Sequence, residues 1–155
     1  MSCNNAEHFS ESIFHDIIKT AICARIKGSQ YFNKLNLGIT FEQYIALDAI
    51  SSSDNICQRG LSKLILKNRS NTGRIVSILE EKGFVTRSIE TKDNRLVKII
   101  SITEKGKEIL RINNAIIRKD NEHTFDSIPQ SDFDDLRRIL KNIRKCIEKE
   151  STMQI

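Results

Sequence analysis

Residues 68–102 read NRSNTGRIVSILEEKGFVTRSIETKDNRLVKIISI, and this stretch decides the architecture. Asn68 suits a helix N-cap, because its side-chain oxygen can accept from an orphan N–H of the first turn. Thr72, Ile75, Val76 and Leu79 then recur at helical spacing as an inward stripe. Arg69, Ser70, Gly73, Arg74 and Ser77 fall on the opposite face. Gly83 stands where helices commonly end, since a residue just past the last turn must take a left-handed conformation. Beyond it, residues 84–89 and 96–102 are rich in β-branched side chains and read as two strands. The polar run 90–95 between them reads as a hairpin tip.

Working upstream, Thr40 followed by Gln43 forms a capping box, with Ile39 and Tyr44 placed as its apolar staple. The helix they start runs through Ile45, Leu47 and Ile50 and stops in the polar run 51–55. A short helix fits 58–66, with Leu61, Leu64 and Ile65 facing inward, and Lys67-Asn68 makes a tight break. A long N-terminal helix over about 7–33 carries Phe9, Ile13, Phe14, Ile17, Ile18, Ala21, Ile22 and Ile26. Downstream, Thr103 caps a helix bearing Ile109, Leu110, Ile112, Ile116 and Ile117, with Glu104 in its first turn, where the dipole favours an acid. A last helix starts near Pro129 and buries Phe133, Leu136, Ile139, Leu140, Ile143 and Ile147. One proline and six glycines in 155 residues agree with long helices and few breaks. The chain is therefore mainly α with a small β-hairpin wing. Two short helices joined by a tight turn, then a hairpin, describe a winged helix-turn-helix.

Charge points to the same segment. The chain carries a net +5 with a pI near 9.1. Residues 59–107 hold twelve lysines and arginines against five acids, so this segment carries +7 and the rest of the chain −2. A length of 155 residues suits one domain and excludes barrel and two-domain dinucleotide enzymes. No apolar run approaches the ~20 residues of a membrane span, and the first residues lack the basic-then-apolar pattern of a secretory signal. The cysteines at 3, 23, 57 and 146 form no Cys-x-x-Cys pair, so free thiols in a reducing cytoplasm are expected. No nucleophile elbow, metal-ligand motif or phosphate loop is present, and no enzyme or cofactor is expected. His8 and His15, seven apart, and the distant His123 read as solvated histidines rather than metal ligands.

The ordered residues from Leu37-Gly38-Ile39-Thr40-Phe41-Glu42-Gln43 to Thr103-Glu104-Lys105-Gly106 resemble the MarR family of bacterial transcriptional regulators. Leu61-Ser62-Lys63-Leu64-Ile65 is similar to the first helix of the family's DNA-binding motif. Arg69-Ser70-Asn71-Thr72-Gly73-Arg74-Ile75-Val76 is similar to the recognition helix, and Lys92-Asp93-Asn94-Arg95 to the Asp-x-Arg wing. Cys57 and Gly60 depart from the Thr or Ser and the acid usual at the first motif helix, so that helix is expected to lack its normal cap. The resemblance implies one continuous domain: an N-terminal dimerisation helix (1–36), a DNA-binding lobe (37–106) and C-terminal dimerisation helices (107–155). It implies a homodimer presenting two recognition helices about one DNA turn apart, ~34 Å, to a palindromic operator. The long apolar stripes of the terminal helices, which a chain this size struggles to cover alone, express the same need.

The DNA chemistry expected of these residues is specific. Arg69, Ser70 and Asn71 occupy the first turn of the recognition helix, where the dipole favours phosphate. Arg74 lies one turn on, and an arginine fork can bond both O6 and N7 of guanine. Arg95 is the expected minor-groove reader, flanked by Lys92 and Asn94, with Asp93 orienting Arg95 or Arg74 or only bonding its own turn. Lys63, Lys67 and Arg87 are candidate phosphate contacts. Gly73, costly in mid-helix, either lets the backbone approach the groove floor or marks a tolerant exposed position.

The resemblance also implies release from DNA by a small phenolic or aromatic effector, or by thiol oxidation. Cys23, in the first helix, is the candidate redox sensor, with a buried inert thiol as the alternative; Cys146 is expected in core packing. The reading is a homodimeric repressor acting on double-stranded DNA. Its rival is a winged-helix module that binds nucleic acid or protein without operator specificity.

Overall fold

The computed structural model describes residues 8–53, 55–92, 95–120 and 125–150. In chain order the elements are α1 (Ile13–Lys34), α2 (Phe41–Ser51), β1 (Ile56–Cys57), α3 (Gln58–Leu64), α4 (Arg69–Glu81), β2 (Val85–Lys92), β3 (Arg95–Ile102), α5 (Glu104–Asp120) and α6 (Gln130–Glu150). The three strands form one antiparallel sheet in the order β1-β3-β2.

The helix starts follow their capping side chains. Thr40 and Gln43 close the expected capping box on α2. Asn68 Oδ1 accepts from the Asn71 N–H at 2.8 Å at the head of α4. Thr103 Oγ1 accepts from the Gly106 N–H at 3.0 Å and donates to the Gly83 carbonyl at 2.7 Å, so one hydroxyl caps α5 and ties it to the exit of α4. The first helix departs from expectation. A 3-10 turn over Phe9–Glu11 precedes it, and Ser12 accepts from the His15 N–H at 3.2 Å, so α1 begins at Ile13.

Three helices end alike, with a left-handed residue just past the last turn and a bond from the next N–H back to the carbonyl five residues earlier. Asn36 (φ 47°) closes α1 with Leu37 N–H to Phe32 O at 3.4 Å. Leu66 (φ 51°) closes α3 with Lys67 N–H to Ser62 O at 3.0 Å. Gly83 (φ 74°) closes α4 with Phe84 N–H to Leu79 O at 2.9 Å. The break between α3 and α4 is thus made at Leu66, and α3 is shorter than the expected 58–66. Leu64 then points to solvent, 58% exposed, instead of inward; Leu61 alone of the expected three is fully buried.

The core gathers Phe32, Leu37, Ile39, Ala46, Leu47, Ile50, Leu61, Val76, Leu79, Phe84, Val85 and Ile100 beneath α2, α3, α4 and the sheet. α5 joins it through Leu110 and, unexpectedly, Asn113, which is buried with neither amide atom paired, while Ile112 faces out. The hairpin is longer than the apolar pattern suggested. Its ladder runs from Val85↔Ile102 to Lys92↔Arg95, so most of the polar run 90–95 is strand, paired across the ladder rather than splayed as a tip. The two-residue β1 pairs Ile56 with Ile100 and Cys57 with Ile99, a strand too short to leave a periodic signal.

The apolar stripes of the long helices are present but uncovered within this chain. Ile13, Phe14, Ile18, Ile22 and Ile26 on α1 are each at least 43% exposed, and Leu136, Ile139 and Ile147 on α6 at least 44%. No helix among the described residues is long and apolar enough to cross a membrane.

Candidate nucleic-acid interface

α4 displays its polar face because its apolar residues take the other side. Thr72, Val76 and Leu79 are buried, which turns Ser70, Arg74 and Glu81 outward along the opposite side of the helix. Arg69, Ser70, Asn71 and Arg74 are all exposed. The side chains of Arg69 and Arg74 make no hydrogen bond or ion pair with other described residues, so both guanidiniums are available to an external anion. A groove of about 290 Å³ flanks the helix, lined by Glu42, Lys67, Asn71, Arg74, Ile75 and Ile78.

Gly73 corrects one expectation. It faces α3 rather than the outside: a Cβ there would meet Gln58 Nε2 at 2.9 Å. That amide donates to the Arg69 carbonyl at 3.0 Å and so links α3 to the first turn of α4. The glycine makes room for this contact between helices.

The three candidate phosphate ligands divide. Lys63 is exposed and unpaired among the described residues. Lys67 is paired with Glu42. Arg87 holds Glu80 at 3.0 Å and donates to Ser77 Oγ at 3.0 Å, tying β2 to α4. Part of the central positive charge is therefore structural. Lys82 and Lys105 add to this: Lys82 Nζ donates to the Gly38 carbonyl and Lys105 Nζ to the Lys82 carbonyl, each at 2.8 Å. Asp93 and Asn94 lie outside the described residues, as do the side chains of Lys92 and Arg95; only the backbone pairing of Lys92 with Arg95 is described there.

Glu42 was not singled out from the sequence. Its carboxylate joins Lys67, in the turn between α3 and α4, to Arg25 on α1 at 2.6 Å. The Lys67 hydrogen bond lowers its pKa below the ordinary carboxylate value; partial burial opposes this, and Arg25 adds to the lowering. Cys57 also departs from expectation. Its Sγ accepts from the Gly60 N–H at 3.4 Å, so the thiol serves as the cap that seemed missing. Cys23 and Cys146 are both exposed in this chain, so Cys146 does not pack in its core but lies on the uncovered face of α6 with Ile139 and Ile147. His8 is exposed, but His15 is not simply solvated: its Nδ1 is buried and unpaired, and the Phe9 ring meets it edge-on at 5.8 Å. His123 lies outside the described residues.

Comparison with known proteins agrees with this geometry. The MarR family model matches residues 39–97, from the α2 capping segment into β3. The transcriptional regulator SarZ of Staphylococcus epidermidis is 30% identical over 115 residues, covering 72% of this chain and 77% of that protein. The chain belongs to the MarR family. The crystal structure of the transcriptional regulator SlyA superposes with a TM-score of 0.72 at 25% identity, covering 89% of this chain and 95% of that one. CouR from Rhodococcus jostii RHA1, solved bound to p-coumaroyl-CoA, shares the fold with a TM-score of 0.73 at 20% identity over 89% of this chain and 95% of that one. This MarR-family chain is a winged-helix, DNA-binding transcriptional regulator, and its relatives are regulators rather than enzymes.

Proposed function

We propose that this MarR-family regulator is a homodimeric repressor that binds palindromic operators and releases them when a small aromatic or phenolic ligand binds, or when Cys23 is oxidised. The observation that carries the reading is a pairing of two surfaces. One is the exposed, unpaired Arg69 and Arg74 on the outer side of α4; the other is the set of uncovered apolar stripes on α1 and α6. Packing those stripes against a second copy removes apolar area from water and sets two α4 helices in a two-fold arrangement.

In this reading Arg74 reads guanine in the major groove, while Arg69, Ser70 and Asn71 hold phosphate and base edges at the helix N-terminus. Lys63 neutralises a phosphate, and Lys67 and Arg87 do so by exchanging their internal partners for DNA. Lys92, Asp93, Asn94 and Arg95 form the wing contact, with Arg95 in the minor groove. The ligand assignment draws support from CouR, whose structure holds p-coumaroyl-CoA. Exposure of Cys23 supports access for an oxidant.

The deciding experiment selects duplexes from a random-sequence pool on the purified protein, with the mass in solution measured by light scattering. The expected result is a dimer that enriches an inverted repeat, loses it when Arg74→Ala is introduced, and releases it on adding salicylate or hydrogen peroxide. A monomer, or a pool that stays unenriched while salt-dependent binding persists, overturns it in favour of a module without operator specificity.

A further inference from the structure

The hairpin carries two aliphatic side chains with no counterpart in the core. Ile89 is 64% exposed and Leu96 is 77% exposed. Their placement follows from the ladder. Residues opposite one another share a face, so Val85, Arg87, Ile89 and Thr91 stand on one side of the hairpin with Ile102, Ile100, Lys98 and Leu96. Ile89 sits opposite Lys98 and Leu96 opposite Thr91, which makes Ile89 and Leu96 diagonal neighbours.

That face looks towards α4. At its base Val85 and Ile100 are buried. One step out, Arg87 reaches across to Ser77 and Glu80 of α4. Ile89 and Leu96 continue the same face beyond the point where α4 can cover it. The Arg87 contacts hold the hairpin beside α4, which makes this part of it a neighbour of any duplex bound to that helix. The adjacent Lys98 is exposed and cationic, which suits a phosphate strand. Between its phosphates that strand presents deoxyribose C–H surfaces, the apolar component of a groove wall, and packing aliphatic side chains on them removes apolar area from water.

We infer that Ile89 and Leu96 form an apolar contact with the sugar edges of the DNA held by α4. The contact rests on the operator-binding reading and adds an uncharged component to it. Affinity then has two parts that salt separates: the ionic part weakens with salt, and the Ile89–Leu96 part does not.

The test replaces both residues by threonine, which keeps β-propensity, and measures fluorescence anisotropy with the duplex selected by the wild-type protein over a series of KCl concentrations. The double variant Ile89→Thr/Leu96→Thr is expected to bind about tenfold more weakly at every salt concentration, with an unchanged slope of log affinity against log salt. Lys63→Ala provides the contrast, since it removes a cation assigned to a phosphate and flattens the slope by about 0.9. The exchange Ile89→Leu/Leu96→Ile, which keeps two aliphatic groups, is expected to restore wild-type binding. Circular dichroism confirms that all variants are folded. Undiminished affinity in the double threonine variant overturns the contact, as does a change of slope equal to that of Lys63→Ala. If wild-type protein selects no duplex at all, the operator reading itself falls and this contact with it, a result separate from either of those.

Discussion

Lys67, in the turn between the two motif helices, is paired with Glu42 in the first turn of α2, and the same carboxylate holds Arg25 of α1 at 2.6 Å. The acid thus sits beside the proposed DNA surface and occupies a cation that phosphate would use. Replacing it frees the cation. Glu42→Gln is expected to tighten DNA binding, because Lys67 then reaches phosphate without first giving up an internal partner, while the salt slope, which counts phosphate contacts, stays close to wild type; salt-series anisotropy checks both. Stability should move the other way and depend on pH. The pKa of Glu42 is lowered in the fold, chiefly by the Lys67 hydrogen bond. Its stabilising effect is therefore full above the ordinary carboxylate pKa and is lost as pH falls through the lowered folded value. Wild-type protein should exceed Glu42→Gln in stability at neutral pH, and the two should converge in acid unfolding curves.

Gly73 and Gln58 pose a competition of known sign on each side. Alanine in place of mid-helix glycine gains about 1 kcal/mol. The new methyl group would displace the Gln58 amide, 2.9 Å from the Cβ position, and strain its bond to the Arg69 carbonyl, a loss of about 0.5–1.5 kcal/mol. Gly73→Ala alone should be near neutral in urea unfolding. In a Gln58→Ala background the same substitution should stabilise by about 1 kcal/mol. Equal effects in the two backgrounds would show that the helices are not coupled through this pair.

Leu66 holds a left-handed backbone, φ 51°, at the end of α3, where glycine is the usual occupant, and its side chain is 70% exposed. Left-handed geometry costs a leucine roughly 1–2 kcal/mol, more than its exposed side chain returns. Leu66→Gly should raise stability by about 0.5–1 kcal/mol once glycine's greater unfolded-state entropy is subtracted. Thermal unfolding at fixed protein concentration measures this, and a lower midpoint would mean that the leucine packs on something outside this chain.

Local rules carried most of the architecture. Thr40, Asn68, Thr103 and Gly83 announced their caps because each acts on backbone groups within a few residues. Features needing distant partners were silent. Nothing near Gly73 in sequence reveals Gln58 across the turn, and nothing near Glu42 reveals Arg25 and Lys67. Polarity misled at residues 90–95, because ladder bonds are made by the backbone and tolerate polar side chains. Burial misled at Asn113, where position on the α5 face outweighed side-chain type. At the proposed DNA surface, charge located the lobe, but only the ion pairs separated Arg69 and Arg74, unpaired among the described residues, from Lys67 and Arg87, which are paired.

Gly106 sits where the first turn of α5 crosses the entry to β2, and its requirement is steric. A Cβ there would lie 2.2 Å from the Phe84 carbonyl oxygen and 2.8 Å from Ile102 Cγ1. The Phe84 carbonyl cannot yield easily, since it accepts from the Thr103 N–H at 3.0 Å and so joins strand to helix. Gly106→Ala must therefore shift backbone rather than a flexible side-chain tip, which places it among overpacking substitutions costing about 1–3 kcal/mol or more. The same shift would move α5 relative to the sheet, although Gly106 lies away from the proposed DNA surface. The expected outcome is a lower urea midpoint and, in protein that remains folded, weaker DNA binding with an unaltered salt slope. A wild-type midpoint in Gly106→Ala would mean that the strand–helix crossing is looser than its contacts imply.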